Sequence, residues 1–423
     1  MVLTVVFRYG GIALQFLILL ILARHLNPDD YGRYMLVLSA VLPTYFLLGF
    51  GVSETFVRDA PKLADSAQLG VLVGATLAVA VGTAIGIALV GGLLVWLLPL
   101  GTVTTGIVAF GLAFFIANGL MFNGAQLLLG AGSQTLGAFF FYPAVNLSLT
   151  LSVVPYVVFA TAPTFEGVAV ATSSASLVIA VLALVLVACH VRPRWPRLPV
   201  VWHLVRVGVR LSAARALYSA GIWLPTFVAG VVLAPTQAGY LGTASRLAVA
   251  VGAVMAAVRF AIRPSIVRAF ERQDRYAIKV ICGRLATVTL SFACLALVVS
   301  GLAGHRVISM TFGTSFASVA PLLTILLVAV AIEAYAGPVD EVLKMTGQEN
   351  RVLAIFGIAV PIAAVVLWGT AHSGVVAMAW VQVAYTLLVF GAMLVVVRRQ
   401  WGIWLHPILP DFLTSLVRQR QAS

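Results

Sequence analysis

Residues 66–101 read SAQLGVLVGATLAVAVGTAIGIALVGGLLVWLLPLG, and no charged side chain interrupts them. The silence continues well past this stretch. From Ser66 to Phe165 there is no Asp, Glu, Lys, Arg or His, and Glu166 then stands alone before His190. A water-facing fold does not leave 100 consecutive residues without an ionic group. Helices in lipid do, because they satisfy their backbone hydrogen bonds internally. Working outward, the 423 residues are 62% hydrophobic and 9% charged, with a mean hydropathy of +1.08. Soluble domains are about half apolar and about a quarter charged. The chain therefore reads as an all-α integral membrane protein. A span with its loop takes about 35 residues, which leaves room for about twelve helices. No hydrophilic block is long enough to fold as a separate soluble domain, which excludes most extramembrane catalytic machinery.

Charge gaps and Pro/Gly turns place the spans at 3–25, 34–57, 68–98, 103–126, 135–161, 167–190, 204–233, 240–267, 277–303, 318–342, 352–371 and 374–397. The first segment is followed by Arg24 to Asp30 and by no small-residue cleavage site, so it reads as a retained helix. The third carries Gly70, Gly74, Ala78, Gly82 and Gly86 at every fourth position, a face that lets a neighbour approach closely.

A net charge of +13 in a soluble protein would point to nucleic acid. Here the basic residues flank helices, and no nucleic-acid partner is expected. With the N-terminus cytoplasmic, 18 of the 26 Lys and Arg fall on that side and three, Arg24, Arg33 and Arg306, on the other. That bias fits the positive-inside rule and an even number of helices, with both termini in the cytoplasm. Cys189, Cys282 and Cys294 have neither CxxC nor metal spacing, so no metal site is expected.

The loop from Arg192 to Pro199 divides the chain in two: an N-lobe over 1–190, a cytoplasmic connection over 191–203, a C-lobe over 204–397 and a cytoplasmic amphipathic tail over 398–423. The halves look related. Leu26-x-Pro28-x-x-x-Gly32 recurs as Leu233-x-Pro235-x-x-x-Gly239, an offset of 207 at which Arg8 also falls on Arg215. Gln126-x-Leu128-x-x-x-Gly132 recurs as Glu341-x-Leu343-x-x-x-Gly347, an offset of 215. Three matches in order suggest two pseudo-symmetric six-helix lobes, a parallel repeat about an axis along the membrane normal.

Beyond the 18 basic residues on the cytoplasmic side and the three opposite, five arginines remain within the helices: Arg8, Arg215, Arg246, Arg259 and Arg263. Each is costly against lipid and should face protein, water or, by snorkelling, the headgroups. Arg8 and Arg215 stand 20 residues before their lobe's proline, roughly 30 Å along a helix, and Arg215 lies on the opposite side of its helix from Arg206. Inward-facing, these groups would form a cationic path, and guanidinium suits phosphate, which it grips in a bidentate way while staying charged. Intramembrane acids are fewer. Glu54 is four residues before Arg58, an ordinary helical pair; Glu333 has no basic residue within a turn and is the better protonatable coupling candidate. Asp340 and Lys344 make another i,i+4 pair. Trp401, Trp404 and Phe412 read as interfacial anchors. No nucleophile–base set, phosphate loop or catalytic residue is visible, and an enzyme is not expected.

At this point the sequence resembles a known family. Arg24-His25-Leu26-Asn27-Pro28-Asp29-Asp30-Tyr31-Gly32 is similar to the turn after the first helix of the polysaccharide-biosynthesis, O-antigen-type flippases of the multidrug/oligosaccharidyl-lipid/polysaccharide (MOP) exporter superfamily. Gly239-Tyr240-Leu241-Gly242-Thr243-Ala244-Ser245-Arg246 resembles that family's start of helix eight, and Gly347-Gln348 its turn after helix ten. The resemblance implies two six-helix bundles in a V, with helices one, two, seven and eight lining a cationic cavity. It implies a bacterial inner-membrane flippase that moves undecaprenyl-diphosphate-linked oligosaccharide to the outer leaflet by alternating access for polysaccharide export. Diphosphate and sugar would meet Arg8, Arg24, Arg215, Arg246, Arg259 and Arg263; Glu333 and Glu54 are the ion-coupling candidates. The expected partners are that lipid-linked oligosaccharide, membrane lipids and other polysaccharide-assembly membrane proteins. No cofactor is expected beyond a proton or sodium gradient. Three other readings stay open: a cation-coupled multidrug antiporter of the same superfamily, a membrane glycosyltransferase, polymerase or ligase, and a non-transporting component of a polysaccharide-synthesis complex.

Overall fold

The computed structural model describes residues 2–63, 65–98 and 101–408. Its helices are α1 (Val2–His25), α2 (Pro28–Val41), α3 (Val52–Asp59), α4 (Ser66–Leu97), α5 (Thr102–Gly130), α6 (Gln134–Phe141), α7 (Ala144–Phe159), α8 (Phe165–His190), α9 (Leu198–Val232), α10 (Pro235–Glu271), α11 (Arg275–Phe312), α12 (Val319–Ala336), α13 (Val339–Met345), α14 (Glu349–Thr370) and α15 (Val375–Trp401). Nine of the described helices are long and apolar enough to cross a membrane, and the bent pairs α2–α3 and α6–α7 raise the number to eleven. The remaining expected segment, 240–267, lies in α10, helical throughout its 37 residues, its apolar run interrupted by Arg246, Arg259 and Arg263.

The span expected as continuous over 34–57 is broken. Gly49, Phe50 and Gly51 all have positive φ, at 77°, 56° and 72°, and α2 meets α3 at 46°. A left-handed run cannot continue a right-handed helix, and Asn123 holds the break open by donating from Nδ2 to Leu48 O at 3.1 Å. The span over 135–161 breaks likewise at Tyr142-Pro143, with a 45° bend, where Pro143 removes a donor from the helical ladder.

Caps set several starts. Asn27 accepts from Asp30 N at 2.8 Å, Asp65 from Ala67 N at 2.8 Å and Asp274 from Ala277 N at 2.8 Å, satisfying donors that a helix leaves orphaned. The repeat has the same local geometry in both copies. Gly132 and Gly347 both take positive φ, at 91° and 74°. Ser133 N–H donates to Leu128 O at 2.9 Å, and Gln348 N–H to Leu343 O at 2.8 Å. These are the six-to-one bonds of a Schellman helix end, and Leu128 and Leu343 are both buried.

The chain divides into two compact units, the first ending at Gly239 and the second starting at Tyr240. In the first, α5 packs against α8, α6, α4, α2 and α3, while α1 lies on α7 and α9 runs along α2 and α3. In the second, α12 lies between α11 and α15, and α14 flanks α15. Helix α9 is thus counted with the first unit, although the sequence repeat begins its second copy with that helix. The small-residue face of α4 is occupied only in part, and by a loop. Arg194 N–H donates to Gly70 O at 2.9 Å, and the backbone of Arg194 lies flush on Gly74, whereas nothing lies within 4 Å of a Cβ built on Gly82 or Gly86. The tail leaves α15 as an extended strap whose Ile408 N–H donates to Gly283 O at 3.2 Å. The rest of the expected amphipathic tail, with Phe412, Arg418 and Arg420, lies outside the described residues.

Candidate functional site

The repeated turns meet. Gly32 lies against the backbone of Pro235, a Cβ on Gly239 would sit 3.3 Å from Gly32 Cα, and Thr236 donates from Oγ1 to Asp29. Asp29 and Thr236 are 207 residues apart, as are Gly32 and Gly239. Equivalent residues touch one another here, the pattern expected where a local two-fold axis passes. Only glycine tolerates this approach, since a side chain on Gly32 would collide with Pro235. The turn motif is thus a packing and capping device: Asn27 Nδ2 also donates to Asp30 at 2.9 Å, and Asp30 holds Arg33 at 2.9 Å.

From that turn α9 descends along α2 and α3 to a second close contact. Gly208 and Gly51 touch backbone to backbone, a Cβ on Gly208 lying 2.6 Å from Gly51 C, and Thr55 donates from Oγ1 to Leu204 O at 3.3 Å. One turn further out, Asp59 gathers Arg58 at 2.9 Å, Lys62 at 3.0 Å and His203 Nε2 at 3.1 Å.

Between the two contacts lies the charged centre of the first unit. Arg215 of α9 donates from Nη1 to Glu54 Oε1 of α3 at 3.0 Å. Its guanidinium carbon lies over three rings, 5.0 Å from the centroid of Phe46, 4.9 Å from Phe122 and 5.7 Å from Phe141. Five elements supply these groups: the turn after α2, then α3, α5, α6 and α9. Glu54 keeps 14% of its side-chain surface and Arg215 36%. The expected Glu54–Arg58 pairing is not formed; Arg58 turns instead to Asp59, with two bonds of 2.9 and 3.0 Å. The break at 49–51 explains the change, because it starts α3 afresh and turns Glu54 into the unit while Arg58 stays exposed. Arg206 and Arg210 are exposed and Arg215 half-buried, in keeping with opposite faces of α9.

The other candidates lie apart from this cluster or are only partly visible. Arg8 is half-buried in α1 and forms no ion pair among the described residues. Arg24 is exposed at the end of α1. Arg246 is half-buried in α10, one turn beyond the buried Leu241 and Thr243. Arg259 and Arg263 are helical in α10, and their side chains lie outside the described part. Glu333 is half-buried in α12. Asp340 and Lys344 pair at 2.9 Å as expected. Trp404 receives Arg398 at 5.1 Å and Trp401 O accepts from Arg275 at 3.1 Å. Phe46, Phe122 and Phe141 were not legible as site residues: among 23 phenylalanines, nothing in their spacing marks them.

No protein-family model matches the sequence, and no curated protein matches it. Solved structures do. An inward-facing multidrug resistance MATE family transporter of the MOP superfamily superposes with a TM-score of 0.73 at 13% identity, over 92% of this chain and 94% of that one. The lipid II flippase MurJ, in an inward closed conformation, gives 0.74 at 10% identity, over 94% and 88%. A MOP superfamily transporter from Pyrococcus furiosus gives 0.61 at 12% identity, over 95% and 94%. The chain has the MOP transporter fold. Within that fold, the break between α2 and α3 turns Glu54 towards Arg215.

Proposed function

We propose that the chain is a transporter that flips a polyprenyl-diphosphate-linked oligosaccharide from the cytoplasmic to the outer leaflet of a bacterial inner membrane, by alternating access. The observation that carries this reading is the excess of arginine over carboxylate in the spanning helices. Arg8, Arg215, Arg246, Arg259 and Arg263 lie within α1, α9 and α10, and Glu54 pairs with Arg215. Guanidinium groups at membrane depth are costly, and an anionic cargo offsets part of that cost through bidentate, charge-assisted bonds. The fold shared with a lipid II flippase supports a lipid-linked cargo, and the turn resemblance supports the oligosaccharide branch.

In this reading Arg8, Arg246, Arg259 and Arg263 meet the diphosphate first, Arg24 meets the sugars, and Arg215 joins once it leaves Glu54. Glu333 is the proposed coupling carboxylate, driven by a proton or sodium gradient, and other polysaccharide-assembly membrane proteins supply the cargo and receive it. Native mass spectrometry of the purified protein with undecaprenyl diphosphate tests the cargo class. Arg8→Ala and Arg246→Ala should each weaken binding by about tenfold or more, the loss of one charged contact of about 1.4 kcal/mol. Equal binding by wild type and both variants would remove the arginines from the cargo site.

A further inference from the structure

Glu54, Phe46, Phe122 and Phe141 form a set whose chemistry is opposite to that of a phosphate site. The π-faces of three rings carry negative potential, and a carboxylate adds a full negative charge; together they attract cations. Phe46 and Phe122 are buried, 3% and 1% exposed, and their rings lie 6.3 Å apart, with Phe122 5.8 Å from Phe141. The rings come from separate elements and are held by contacts of their own. Tyr45 packs edge-on to Phe122 at 5.7 Å, and Asn123 fixes the backbone between Phe46 and Glu54 through Leu48 O at 3.1 Å. The cage is therefore built by the bundle, and Arg215 enters it from α9 as a guest would: end-on ion pair at 3.0 Å, ring faces at about 5 to 6 Å.

We propose that this cage is an organic-cation site, specific for a flat, singly charged guanidinium, which the chain fills with its own Arg215. Arg215 is the specificity-determining residue: seated, it closes the cage to free cations and clamps α9 on α3; withdrawn, it leaves a site of the opposite charge preference. The proposal rests on the cage geometry and stands apart from the identity of the cargo.

The test is chemical. Arg215→Ala removes the guanidinium and most of its stem, and ethylguanidinium replaces the missing atoms. Purified wild type, Arg215→Ala and Arg215→Ala/Glu54→Gln are titrated with millimolar ethylguanidinium against sodium chloride of equal ionic strength, following melting temperature and calorimetric binding. Arg215→Ala should bind at least tenfold more tightly than the double variant, with an upward thermal shift that wild type lacks. If Arg215→Ala does not survive purification, recovery of monodisperse protein by ethylguanidinium during extraction, and not by sodium, is the equivalent positive result. Binding that is equal in all three proteins, or no rescue of an unstable Arg215→Ala, overturns the proposal. Flipping by the wild type bears on neither result.

Discussion

At the scale of single residues, the centre of the first unit is one ion pair in an aromatic setting. Glu54 is mostly buried and Arg215 about one-third exposed, so water screens the pair in part, and its coupling lies between that of a surface bridge and a buried one. A double-mutant cycle with Glu54→Gln and Arg215→Gln should give a coupling of about 1–2 kcal/mol, read from thermal unfolding in detergent. A coupling near zero would mean that the rings alone hold the guanidinium. The sequence placed both residues inside spans and put Arg215 on the face opposite Arg206. It paired Glu54 with Arg58, because i,i+4 spacing assumes an unbroken helix. What redirects Glu54 is a turn of three left-handed residues, one of them Phe50, and a non-glycine residue with positive φ leaves no mark in composition.

At the scale of elements, two glycines of α9 set its closest approaches to α2 and to the turn before α3. Gly208 touches Gly51, and Gly230 lies 2.7 Å, Cβ to atom, from Leu36 Cδ1. Gly208→Val would drive a side chain into backbone, and overpacking of this kind costs about 1–3 kcal/mol. The variant should melt lower than wild type, while Gly82→Ala and Gly86→Ala, with nothing within 4 Å, should leave the melting temperature unchanged or raised. Equal effects would mean that the backbone contact carries no weight. Helix positions were largely readable, because long apolar runs between charges and Pro/Gly turns are a strong signal. The bends were not: the span over 135–161 was expected to run through Pro143 unbroken, and the break at Gly49–Gly51 depends on the tertiary bond from Asn123. The regular glycines of α4 looked like a helix–helix seam, yet half of them receive the backbone of Arg194, because small residues signal close approach without saying what approaches.

At the scale of the whole molecule, the repeat read from three weak matches has a physical counterpart. Gly132 and Gly347 end their helices with the same bonds, and Asp29 meets its counterpart Thr236 across the paired turns. The fold of a MOP transporter was legible because pattern, charge and turn motifs agreed. The sugar composition of the expected cargo was not, since sugar contacts are spread over polar and aromatic side chains with no fixed code.

The measurement that tests the central claim most directly is translocation in proteoliposomes. A fluorescent polyprenyl-diphosphate oligosaccharide is reconstituted with the protein, and its protection from a membrane-impermeant quencher is followed with and without imposed proton and sodium gradients. The account predicts protein-dependent translocation, lowered at least tenfold by Arg246→Ala in folded protein. Absence of translocation by folded wild type, across several glycans and both gradients, would contradict it.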